Sequence, residues 1–281
     1  MTAPQNSFAG LAIQNNYSEV VLCTDGSAGM TPALQMAQRL AAGLHVDLRL
    51  LHAMTGKGDH ADLVRNEAAQ QAKEFGAGLD TIEAADEVMW DAAVPLVDSL
   101  SKRPGSLPVV ASHARRGPGE ALFGSVAAKV LRALHRPVAI MGPEGKPSTA
   151  EFRRIVACID GSDLSLTAVR VAAELARGID VPLWLIMVVD PLDESVSILP
   201  GVARDLKLVG VEAHWETLRH AHPHRAIVDY AASDPATITV AATQGRSGWR
   251  DLVMGSTVTN IVRHAAGVVV TVQPERQSSQ G

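Results

Sequence analysis

The sequence predicts an α/β protein made of two Rossmann-like, doubly wound parallel-sheet domains in tandem. Two observations carry that prediction. The first is that the chain contains itself twice. Val20–Gly43 returns as Ile155–Gly178, and 8 of 19 positions are identical between Asp25–Gly43 and Asp160–Gly178 at an offset of 135. A second block, Val109–Pro143, returns as Val240–Pro274 at an offset of 131. The second observation is that each copy alternates short apolar runs with stretches of helical periodicity, as a parallel sheet covered by helices requires. Between the copies lies Glu144–Ala150 (EGKPSTA), polar and bearing Pro and Gly, which reads as a linker. Residues 17–143 and 151–274 are therefore expected to be the two domains.

The elements follow in order. Glu19–Thr24 is an aliphatic, β-branched run and reads as the first strand. Thr31 before Pro32 reads as an N-cap and first helical residue, opening a helix over Pro32–Ala42. Strands are then expected at Asp47–Ala53, Ala84–Trp90, Leu107–Ser112 and Pro137–Met141, with helices at Ala61–Gly78, Ala93–Lys102 and Ser125–His135. The second copy repeats the plan with strands at Arg154–Ile159, Pro182–Val188, Glu212–Leu218, Ile238–Thr243 and Val268–Val272. Its second helix must be shorter. Asp190–Gly210 leaves less room than Thr55–Thr81, and it holds Pro191, Pro200 and Gly201. The last strand of each copy is an apolar sheet edge, hazardous if left bare.

Composition narrows the function. The chain of 281 residues is 47% hydrophobic and 20% charged, with a formal charge of −5. No global basic field invites nucleic acid or an anionic membrane. Four Trp, two Tyr and four Phe are too few for a base-stacking surface. No apolar run approaches the roughly 18 residues of a membrane helix. MTAPQNSFAG lacks the features of a secretory signal, and two cysteines make no disulfide framework, so the expected location is the cytoplasm.

In an open parallel sheet, ligands bind beyond the carboxyl ends of the strands, where the winding direction switches. Two elements of each copy fall there. One is the turn after the first strand, Asp25-Gly26-Ser27 and Asp160-Gly161-Ser162. The other is the loop after the fourth strand, which closes on Gly124-Ser125 and Gly255-Ser256 at a helix start. Glycine admits an anion close to the backbone, and the helix start offers free N–H groups and a positive dipole end. No Walker A motif, G-x-x-x-x-G-K-[ST], occurs.

The Asp-Gly-Ser turn and the G-x2-G-x9-G-[ST] loop resemble those of the universal stress protein family in its tandem form. The resemblance spans Tyr17 to Pro274. In copy two the loop runs from Ala242 to Gly245, then through nine residues to Gly255-Ser256, departing from the pattern at one glycine. In copy one it runs from Ala111 to Ala114 and then to Gly124-Ser125, departing at two. The resemblance implies an adenine-nucleotide alpha-hydrolase-like fold and a pseudo-dimer in which the last strands pair antiparallel. The seven-residue linker reaches roughly 23 Å at about 3.3 Å per residue, enough for that pairing. It also implies ATP, with or without Mg²⁺, in a site of Asp160, Gly161, Val188, Ala242, Gly245, Arg246, Gly255, Ser256 and Thr257. The matching first-half residues are Asp25, Gly26, Ala53, Ala111, Arg115, Gly124 and Ser125, with two of the three motif glycines replaced by alanine. Adenine is placed beside Asp160 and Val188, or Asp25 and Ala53. Asp160 then faces base and ribose or holds Mg²⁺, and the sequence leaves both open.

The expected function is nucleotide-dependent regulation in stress or dormancy, through protein partners and as a homodimer of the tandem chain. The rival is a nucleotide-free scaffold, which would have no reason to retain Gly245, Gly255 and Ser256. An enzyme is not expected. No nucleophile elbow occurs, and no histidine recurs near the site in both halves; Gln244 and Thr243 offer at most a weakly positioned water. Cys23 and Cys158 match in position and read as small buried hydrophobes. His52 reads as packing, Trp184 and Trp215 as core or interface, and Arg115-Arg116 as a solvated loop if copy one is empty. His220, His222 and His224 alternate around Pro223; a metal would need another converging ligand, so they read as a solvated loop with a proline helix start.

Overall fold

A computed structural model describes residues 13–54, 59–83, 92–112, 125–193, 197–244 and 254–274. The first half comprises strands β1 (Glu19–Thr24), β2 (Asp47–Met54), β3 (Gly78–Glu83), β4 (Ser106–Ala111) and β5 (Val138–Met141). Its helices are α1 (Thr31–Leu44), α2 (Asp59–Glu74), α3 (Ala93–Ser101) and α4 (Ser125–Leu134). The second half has β6 (Arg154–Ile159), β7 (Leu183–Val189), β8 (Ala213–Arg219), β9 (Thr237–Ala242) and β10 (Val268–Val272). Its helices are α5 (Asp163–Ile179), α6 (Leu199–Leu208), α7 (Pro223–Ala232) and α8 (Ser256–His264). The short second helix of copy two is present, with 10 residues in α6 against 16 in α2.

All ten strands form one sheet in the order β3-β2-β1-β4-β5-β10-β9-β6-β7-β8. Pairing is parallel within each half, and the halves meet where β5 and β10 run antiparallel, with Val269 opposite Ile140. The exposed edges of the two copies thus satisfy each other, as the pseudo-dimer expectation requires. One core layer joins α1, α2, α5 and α6 across both halves, and α3, α4, α7 and α8 cover the other face. At the seam α1 and α5 cross near Gly43 and Gly178, which are equivalent in the repeat. A Cβ on Gly178 would lie 2.8 Å from Leu44 Cδ2.

Two expectations need correction. The strand next to β2 is Gly78–Glu83; the stretch Ala84–Trp90 expected there lies outside the described residues. Helix α2 ends at Glu74, and the chain reverses at Gly76, whose φ of +62° suits glycine. That starts an edge strand earlier than hydrophobic content suggests. The edge is fastened by charge instead, since Arg49 Nε donates to Asp80 Oδ2 at 2.9 Å and Arg103 Nη2 donates to the same oxygen at 2.7 Å. Hydrogen bonding from Arg49, then its charge and that of Arg103, outweighs desolvation and holds the Asp80 carboxyl below its ordinary value. The second correction is at Thr31, which is helical and not an N-cap. A 3-10 turn at Ala28–Met30 runs directly into α1, and Thr31 Oγ1 donates back to Ala28 O at 3.0 Å. Among the described residues no helix is long and apolar enough to cross a membrane.

Candidate functional site

Strand register brings the proposed residues together. In the second half Ile159 pairs with Met187 and Cys158 with Ala241. The next residues along these parallel strands are Val188, Asp160 and Ala242, with Thr243 one further. They form a row across the carboxyl edge, with strands about 4.8 Å apart. In the first half Thr24 pairs with His52 and Leu22 with Val109, which sets Ala53, Asp25 and the Ala111–Ser112 end of β4 in the same row. Both rows straddle the switch points β1/β4 and β6/β9.

Each acidic turn is closed by its own side chain. Asp160 Oδ1 accepts from Ser162 N at 3.0 Å and from Ser162 Oγ at 2.6 Å. Asp25 Oδ1 accepts from Ser27 N at 2.9 Å. Gly161 and Gly26 sit at φ +83° and +77°, where a side chain is strained, so the middle glycine serves the turn itself. Ser162 Oγ also accepts from Ser165 N at 3.2 Å, capping α5, and Asp163 adds a carboxylate to its first turn.

Helix α8 starts differently. Gly255 N donates to Thr243 O at 2.6 Å, which docks the helix start against the end of β9. Among the described residues no side chain caps α8, and no acidic residue lies in its first turn. The N–H groups of Ser256, Thr257 and Val258 have no intrahelical acceptor, and the positive dipole end is uncompensated by the helix's own residues. Gly255 has φ −64°, and among the described residues a Cβ there would meet only Thr243 O, at 3.6 Å. Its glycine is therefore not demanded by backbone strain, and Ser256 beside it is exposed. Thr243 faces inward; its hydroxyl donates to Val272 O at 3.2 Å.

The first half is closed over. Gln71 of α2 donates from Nε2 to Gly26 O and Ser27 O, both at 3.0 Å, and a Cβ on Gly26 would lie 2.9 Å from Val64 O. Gly26 is buried, although Asp25 is exposed. The role of Gln71 had no local sequence signal, since 45 residues separate it from Gly26. Ser125 starts α4, while Arg115, Gly124, Gly245 and Arg246 lie outside the described residues.

The other candidates settle into structural positions. His52 is buried, with Nδ1 3.0 Å from Thr24 O. Trp184 stacks on His214 with centroids 4.7 Å apart, and Trp215 on the edge strand is 47% exposed. No group of three His, Cys, Asp or Glu among the described residues could hold a metal ion. Cys23 is buried and Cys158 half-buried, and desolvation pushes both thiols up to about 12. A thiol reagent near neutral pH is expected to leave the folded chain unmodified and to titrate both cysteines in denaturant. Rapid reaction of Cys23 in the native protein would contradict its burial.

Two doubly wound halves sharing one sheet, each with an acidic turn and a helix start at its switch point, define a tandem α/β protein. The profile of the universal stress protein family matches residues 16–141 and 151–273, and the chain belongs to that family. A universal stress protein of Mycobacterium tuberculosis is 24% identical over 92% of this chain and 97% of its own length. One from Methanocaldococcus jannaschii is 28% identical over 45% of this chain and 85% of its own. A universal stress protein from Archaeoglobus fulgidus shares the fold with a TM-score of 0.68 at 20% identity, over 93% of this chain and 99% of that one.

Proposed function

We propose that this universal stress protein binds ATP in its second half and acts as a nucleotide-dependent regulator, not as an enzyme. The observation that carries the reading is the uncapped start of α8, fastened to the end of β9 beside Asp160. Backbone N–H groups with an uncompensated dipole fit phosphate, while Val188 and Asp160 flank the same edge and suit base and ribose. Gly161, Ala242, Gly245, Arg246, Gly255, Ser256 and Thr257 complete the proposed site, with Arg246 as a charge-assisted phosphate partner. Mg²⁺, if carried, is held by the phosphates with Asp160 as a single protein ligand, since no protein cluster supplies more among the described residues. In the first half the α2 roof over Gly26 supports a mainly structural role for residues 17–143.

A cradle of N–H groups stabilises ground-state phosphate as well as a transition state, so it gives binding with little acceleration. Phosphoryl transfer also needs a positioned water and a metal set. Asp160 already accepts two hydrogen bonds, and the Thr243 hydroxyl is spent on Val272. Steady-state phosphate release is therefore expected far below ~1 s⁻¹, the low end of ordinary turnover. Faster release that disappears in Gly255→Glu would make the protein an enzyme. Mass spectrometry of what co-purifies with the untagged chain tests the ligand itself; its absence at ATP concentrations that saturate related sites would favour the scaffold.

A further inference from the structure

One turn is used repeatedly in this chain. Asp25, Asp160, Asp190 and Asp234 each accept the N–H two residues ahead, from Ser27, Ser162, Leu192 and Ala236, at 2.9, 3.0, 2.9 and 2.9 Å. Asn15 does the same for Tyr17 at 3.0 Å. Between β8 and α7 the acceptor is an imidazole, with His222 N–H donating to His220 Nδ1 at 2.8 Å. Carboxylate and amide oxygens keep accepting through the mildly acidic range. An imidazole accepts only while neutral, because both ring nitrogens of the protonated form are donors.

We propose that the β8–α7 turn is a proton-operated latch, in which neutral His220 holds the start of α7 closed and protonated His220 releases it. His222 is the N-cap of α7, at φ −121° and with no side-chain cap, and its carbonyl accepts from Arg225 and Ala226 at 3.1 and 3.3 Å. Losing the His222 N–H bond therefore loosens the residue on which the first helical turn is built. The neighbours reinforce the effect. The His222 ring lies 5.8 Å from that of His220 and 6.2 Å from that of His224. Any charge gained gathers at the positive end of the helix dipole. Around the rings, Arg225 on α7 is cationic and His264 of α8 lies nearby, while Arg219 on β8 is engaged with the carbonyls of Pro191 and Asp193. His264 contacts Glu144 Oε1 at 2.9 Å, and no carboxylate forms an ion pair with the three rings among the described residues. Partial burial, then the charges of Arg225, His222, His264 and His220, lowers the His224 imidazole below its ordinary value. The turn is anchored to the sheet by His220 N–H, which donates to Val189 O at 3.0 Å.

The sign follows from the acceptor role. A latch that needs the neutral ring is closed at higher pH and opens as pH falls through the range in which imidazoles protonate, between about 8 and 5. Amide hydrogen exchange of the full chain at about pH 7.5 and 5.5, corrected for intrinsic rates, reads it directly. Protection of the His222, Arg225 and Ala226 amides is expected to fall on acidification. Ala236, in the equivalent aspartate turn, should hold its protection. His220→Asn restores a non-titrating acceptor and should stay protected at both pH values; His220→Ala should be unprotected at both. Equal protection of the natural chain at the two pH values, or loss in His220→Asn in step with it, would overturn the latch.

Discussion

Alanine at Gly142 is expected to destabilise the chain by roughly 3 kcal/mol, the upper end of ordinary overpacking costs. Gly142 follows β5 at the seam between the halves, and a Cβ on it would overlap the carbonyl oxygen of Val262 in α8. The obstacle is helix backbone, so no rotamer relieves it; α8 or the β5–β10 pair must move. For a chain of this size about 2–4 °C of melting temperature goes with each kcal/mol, giving a fall of roughly 6–12 °C. The control is Gly201→Ala in α6, where a Cβ meets none of the described residues within 4 Å. That change should stabilise slightly, because alanine loses less backbone freedom in a helix. Unchanged melting of Gly142→Ala would mean that the halves meet less closely than β5 and β10 indicate.

Glutamate at Gly255 is expected to weaken ATP binding about a hundredfold without unfolding the protein. The Cβ has room, as the 3.6 Å approach to Thr243 O shows, so the effect is on the cradle. A carboxylate at the α8 start would compete for its N–H groups and repel phosphate. At about 5 Å and an effective dielectric near 20 that repulsion is about 3 kcal/mol, and each 1.4 kcal/mol is about tenfold in affinity. Asp160→Ala should also remove most binding, because it opens the Asp160–Ser162 turn as well as removing the carboxylate. Gly124→Glu in the first half should remove less. Calorimetric titration of the three variants reads these differences, and equal losses in Gly255→Glu and Gly124→Glu would show the halves to be equivalent.

Much of the architecture was legible because repetition and period are local. The repeated Asp-Gly-Ser and Gly-Ser placed two equivalent edges, and β6 and β10 begin and end where their aliphatic runs do. The third strand was not legible in the same way. GLDTIE is a half-exposed edge held by Arg49 and Arg103, and ion pairs between distant residues leave no periodicity. Thr31 before Pro32 looked like a cap because only the 3-10 turn ahead of it reveals that the helix path has already begun.

The sequence by itself determined that there are two copies, that each alternates strand with helix, and which turns stand at the carboxyl edges. It also ranked the second cleft above the first by its glycines. Only the tertiary structure decided what those glycines do: Gly26 and Gly161 serve left-handed turns, while Gly255 does not. It decided too that Gln71 and Val64 cover the first turn, that α8 lacks the acid and side-chain cap which its partner across the site, α5, possesses, and that Gly142 resists a larger side chain although its repeat counterpart is Gln273. The reason is physical. Propensity and pattern act between near neighbours in the chain, whereas close approach and the satisfaction of N–H groups depend on atoms brought together from far apart, and two copies of one pattern need not meet the same neighbours.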